Sequence, residues 1–175
     1  TADEAPLTDA LEMDPVLLDI FSKETKGHLG VIESYVKACD AHEPPWFVTD
    51  KLYRACHTLH GSANMANVER GVGVAGALNR YVRRLFDLKA GLDRPGIEAL
   101  VAAAQAIACI VEDINQPERI RYDYADLIEV LGSLTDVLFT ASMLQPAADS
   151  VSDEVTGEDV EDAQESVEYD AEIAA

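Results

Sequence analysis

Between residues 14 and 143, apolar side chains recur every three or four positions, a spacing that predicts helix almost throughout. Asp14-Pro15 supplies an N-cap and a proline suited to the first helical position. The run behind it sets Leu17, Leu18, Phe21, Leu29, Ile32, Tyr35 and Val36 on a recurring face, to about Cys39. Pro44-Pro45 ends the connection, and a second helix is predicted from about Phe47 to Met65. A third, near Gly71 to Lys89, carries Val74, Leu78, Tyr81, Leu85 and Leu88 at alternating steps of four and three, the spacing of a bundle seam. Gly91 and Pro95-Gly96 mark a turn. An alanine-rich fourth helix covers about Ile97 to Ile114, Pro117 breaks the chain again, and a fifth helix runs from about Tyr124 to Met143. No stretch alternates convincingly as a strand does, and no long internal repeat is visible. Short connections between long amphipathic helices favour antiparallel neighbours. The expected fold is all-α: an antiparallel four-helix bundle with one additional helix, over residues 13–143.

Charge changes the picture at the ends. The 175 residues carry a formal charge of −20, which argues against nucleic acid or an anionic membrane surface as partner. From Asp149 to Glu172 there are 11 acidic residues and no Lys or Arg, so residues 144–175 are expected to be a disordered acidic linker. Residues 1–12, also acidic and polar, read as a shorter linker and not as a secretory signal. Thr1 stands where a start methionine would, so a segment of a longer or processed chain is expected. The most apolar run, Ala99 to Val111, is too short to span a bilayer, and no membrane insertion is expected. Cys39, Cys56 and Cys109 are odd in number and widely spaced, which fits small apolar residues in a reducing cytoplasm.

The candidate chemistry lies in "ACHTLHGSANMA", residues 55–66. This is helix material that tolerates a glycine in its middle, at a cost of about 1 kcal/mol relative to alanine. At about 100° per residue, Tyr53, Arg54, His60, Gly61 and Asn64 all fall within about 60° of His57. Val48, Leu52, Ala55, Leu59, Ala63 and Ala66 fall on the opposite side. His57 is thus expected to point away from the core, with Gly61 removing side-chain bulk one turn on. The third helix adds Arg80, Arg83 and Arg84, with Arg70 and Lys89 at its ends, and only Asp87 opposing them within it. They read either as a solvated face or as a basic patch that attracts an acidic partner.

"HTLHGSANMA" resembles the histidine phosphotransfer (HPt) motif, H-x-L-K-G-S-[AS], matched here by His57, Leu59, Gly61, Ser62 and Ala63. Counting "MDPVLLDIFSKETKGHL" and "LNRYVRRL", the resemblance covers about residues 13–143 and is nearest to the repeated HPt modules of large CheA-like hybrid histidine kinases that govern twitching motility and type IV pili. It implies that His57 is a phosphoacceptor exchanging a phosphoryl group with a response-regulator receiver domain or a histidine kinase catalytic domain, in a chain that is part of a histidine kinase. No cofactor is expected in this segment, with Mg²⁺ on the partner. No phosphate-binding loop or Gly-rich ATP lid is present, so autonomous kinase activity is not expected. His60, Gly61, Asn64 and Arg54 are the candidate phosphoryl or partner contacts. One position departs from the motif: His60 stands where the family usually has a lysine. The competing readings are a phosphorylation-silent docking or scaffold module of the same bundle fold and, more weakly, a metal site at Cys56, His57 and His60.

Overall fold

Asp14 opens the first helix as the sequence predicts: its Oδ1 accepts the Val16 N–H at 2.7 Å and Pro15 occupies the first turn. A computed structural model of the chain describes residues 14–116 and 122–144, all within the first of the chain's two units, residues 1–145. The predicted linkers 1–12 and 144–175 lie outside the described residues, except that the last helix runs to Leu144. Five helices follow in order: α1 (Pro15–Cys39), α2 (Asp50–Met65), α3 (Glu69–Leu88), α4 (Arg94–Asn115) and α5 (Ala125–Leu144). The described chain is therefore mostly helical.

The second helix begins three residues later than its apolar pattern suggests. Trp46-Phe47 (β1) pairs antiparallel with Gly91-Leu92 (β2), joining the α1–α2 connection to the α3–α4 connection. Tyr35 donates its hydroxyl to the carbonyls of both Trp46 and Phe47, and the Trp46 indole donates to the His42 carbonyl. These contacts hold the segment extended, and Thr49 then caps α2 by accepting the Leu52 N–H at 3.2 Å.

Packing places α1 against α2 and α4, α3 against α2 and α4, and α5 against α3 and α4. Leu52, Leu78, Leu92, Leu100 and Leu131 lose all solvent exposure in the shared core. Leu17, on the predicted apolar face of the first helix, and Leu88, the last residue of the predicted third-helix seam, stay outside it and are exposed. Close approaches to α3 are made at its glycines. A Cβ at Gly71 would lie 3.5 Å from Ala63 Cβ of α2, and one at Gly73 would lie 3.1 Å from Ile128 Cδ1 of α5. Across the buried end of the α3–α4 contact, Arg70 pairs with Asp113 at 3.1 Å and also donates to the Tyr122 carbonyl.

Candidate functional site

On α2 the wheel's apolar positions Leu52, Ala55, Leu59, Ala63 and Ala66 are buried, joined by Cys56 and Ser62. Of the polar stripe, Arg54, His57, Gly61 and Asn64 are exposed, and Tyr53 and His60 are half-buried. Cys56 and His57 are neighbours in sequence but point to different media. The buried environment of Cys56 pushes its thiol up to about 12, so it remains protonated behind the helix. A thiol directed into the core and an imidazole directed outward cannot ligate one metal, which removes Cys56 from the metal reading. Among the described residues, no three His, Cys, Asp or Glu side chains form a cluster able to hold a metal ion.

Gly61 is not explained by packing. A Cβ built there would meet nothing within 4 Å. Side chains of a helix lean toward its N-terminus, so one at position 61 would lie back over His57. The glycine therefore leaves open the approach to the imidazole from the C-terminal side of α2.

The opposite side is walled. Tyr53, one turn before His57, stacks on it with ring centroids 6.3 Å apart and planes inclined by 24°. Phe86 of α3 lies on Tyr53 in turn, at 4.8 Å and 8°. Sequence reasoning set Tyr53 beside His57 but missed Phe86, whose position becomes meaningful only once α3 is docked. The contacts Tyr53–Phe86, His60–Gly76 and Ala63–Gly71 descend along α3 as they ascend along α2. The two helices thus run in opposite directions, and His57 stands level with the Arg80–Arg83 stretch.

The remaining candidates divide between the site and its surroundings. His60 is half-buried and turned onto α3: its Nε2 lies 3.1 Å from where a Gly76 Cβ would be, and Arg80 Nη1 lies 3.6 Å from the same point. Asn64 stays on the exposed face, with its amide nitrogen donating to the His60 carbonyl at 2.9 Å. Arg54 pairs with Asp50 one turn earlier, Nε to Oδ2 at 2.8 Å, with both side chains exposed.

The five basic residues of the third helix do not form one patch. Arg80 and Arg83 are exposed and lie within about 40° on the wheel of Gly76, the buried glycine that faces α2. Arg83 also reaches Asp87 at 3.7 Å. Arg84 turns the other way, donating to Ser142 Oγ at 2.9 Å and covering the Phe139 ring at 5.1 Å. Arg70 is buried against Asp113, and Lys89 forms the left-handed C-cap of α3 at φ 52°. Arg80 and Arg83 are the exposed arginines of α3 level with His57, and Arg54 is exposed beside it on α2.

Cavities of about 440, 410, 390 and 230 Å³ are each lined in part by α4, and none of these is lined by His57. Among the described residues, no helix is long and apolar enough to cross a membrane. No family model, curated protein or solved structure matches the chain.

Proposed function

We propose that the chain is a cytoplasmic phosphorelay carrier module of the histidine phosphotransfer type, with His57 as phosphoacceptor. The observation that carries the reading is the exposed imidazole at the middle of α2, with Gly61 leaving open space one turn on and an unbroken core face behind. The circuit of contacts through α1, α2, α3 and α4 supports an antiparallel four-helix bundle with α5 as the additional helix. A helix so supported presents the ring rigidly, as transfer between two macromolecules requires.

In the proposed step, a neutral ring nitrogen of His57 attacks the phosphorus of an aspartyl phosphate on a receiver, or of a phosphodonor in a kinase domain. The N–P bond forms as the P–O bond to the donor breaks, and the donor oxygen leaves with the electron pair. Mg²⁺ belongs to the partner's site in this scheme. Arg80 and Arg83 give the His57 surface a positive flank that suits the acidic surroundings of a receiver aspartate.

A second reading, a phosphorylation-silent docking or scaffold module, is favoured by His60. It stands at the motif's lysine position and turns onto Gly76, so no lysine cation is offered there. Incubation with a radiolabelled phosphoreceiver separates the two. The carrier reading expects acid-labile, base-stable label on wild type and none on His57→Gln. Label that survives in the variant refutes the assignment, and an unlabelled wild type supports the silent module.

A further inference from the structure

Phe86, Tyr53 and His57 line up along the outer edge of the α2–α3 contact, where Tyr53 also packs against the core. Phe86 and Tyr53 are both half-buried at the outer edge of the α2–α3 seam, outside the group of fully buried side chains. Their rings are layered face to face, 4.8 Å apart and within 8° of parallel, and the His57 ring lies 6.3 Å from Tyr53 with its plane inclined by 24°. An exposed histidine is ordinarily free to change rotamer, because nothing but water surrounds it. Here an aromatic ring stands 6.3 Å to one side of the imidazole, and that ring is itself packed on Phe86 of another helix. Gly61 supplies the complementary feature: on the side away from Tyr53, nothing stands within 4 Å of a Cβ at that position.

We propose that Tyr53, braced by Phe86, is the positioning residue of His57, and that the phosphodonor reaches the imidazole from the Gly61 side. The proposal rests on the phosphorelay reading and deepens it. Tyr53 makes no bond to the reacting atoms. Its ring narrows the range of orientations the imidazole samples, and this limits the entropy lost when the ring meets phosphorus in line. The aromatic surface is the working part, so the tyrosine hydroxyl is dispensable. Phe86 acts only through Tyr53.

The test uses the whole chain and three variants, Tyr53→Phe, Tyr53→Leu and Phe86→Leu, each checked by circular dichroism and thermal unfolding. Two readouts are taken. The first is independent of phosphate: nuclear Overhauser contacts between the Tyr53 and His57 ring protons, and the chemical shifts of the His57 ring C–H groups. The second is the rate of phosphotransfer from a phosphoreceiver as a function of donor concentration. Tyr53→Phe is expected to keep both the His57 shifts and the transfer rate. Tyr53→Leu and Phe86→Leu are expected to move the shifts and to lower the maximal rate by about tenfold, with the half-saturating donor concentration unchanged. The Tyr53→Leu, Phe86→Leu double variant is expected to be no slower than the slower single one.

Absent ring contacts in the wild type overturn the proposal, as does an unchanged maximal rate in Tyr53→Leu. A Tyr53→Phe variant as slow as Tyr53→Leu overturns it too, since the hydroxyl would then be the working group. If the ring contacts are present but wild type takes no label, the phosphorelay reading has failed and this role falls with it. Label on wild type with unmoved rates in the leucine variants overturns the positioning role alone.

Discussion

The two flanks of α3 are built on the same device and put it to different ends. On each flank a glycine lets a neighbouring helix come close, Gly76 toward α2 and Gly73 toward α5. At Gly73 the space is taken by the Ile128 methyl end, and the seam continues through the fully buried Leu131. At Gly76 the space is taken by an imidazole, and the seam's outer edge continues through Tyr53 and Phe86 to the exposed His57. One flank is closed at Gly73 by hydrocarbon and farther along by Arg84, which bonds Ser142 and covers Phe139. The other holds polar and aromatic rings half out of the core, where they gain little from burial but stand ready for contact. Chemistry is expected on the α2 side, while stability is drawn from both: α2 buries Leu52, Ala55, Cys56, Leu59 and Ala63, and α5 buries Leu131.

The largest expected effect tests the buried anchor beneath the α5 flank. Asp113→Ala removes the Asp113 carboxylate from the buried Arg70 guanidinium, which keeps the Tyr122 carbonyl, and urea unfolding should report a loss of about 3–5 kcal/mol. An effect below about 1 kcal/mol would place the anchor among weak surface pairs. Leu131→Ala comes next, at about 3 kcal/mol from lost burial and the cavity left behind. At a temperature where this variant remains folded, His57 should still take up phosphate at the wild-type rate. A proportionate fall in transfer would erase the division between the flanks.

Gly61→Gln should act in the opposite sense on the two properties. Melting experiments should show stabilisation of up to about 1 kcal/mol from helix propensity, because no neighbour is there to clash. Transfer to His57 should slow, since the new side chain leans back over the ring. The smallest effect is the comparison of Gly73→Ala with Gly76→Ala. Both should change stability by less than about 1 kcal/mol, the gain in propensity offsetting the displacement of a flexible side-chain end. Only Gly76→Ala should move the His60 ring resonances in an NMR spectrum. A shift of equal size in both would show that His60 is not seated on Gly76.

The helices were readable because their signals are local. Asp14-Pro15, the apolar periodicity of residues 74–85 and the opposed faces around His57 each depend on residues within a turn or two. What escaped reading depends on partners far along the chain. Trp46-Phe47 looks like the start of a helix until Gly91-Leu92 pairs with it, 45 residues away. Arg70 looks like part of a basic patch, yet its partner is Asp113. His60 lay correctly on the polar stripe, about 60° from His57, but the wheel cannot tell which edge of that stripe a second helix will cover. The answer came from α3, and it separated His60, turned inward, from Asn64 and Gly61, left outward.

The β1–β2 pairing has a further consequence for motion. At one end, α2 and α3 are joined by a tight turn in which Val68 N–H reaches the Ala63 carbonyl and Asn67 takes a left-handed φ of 54°. At the other end, the short ladder joins the strand entering α2 to the strand leaving α3. The stretch from Trp46 to Leu92 is thereby a closed ring of chain with His57 near the middle of one arm. A ring fastened at both ends opens as one unit and does not fray from either end. Amide hydrogens along the centres of α2 and α3 should therefore exchange with solvent at a common free energy.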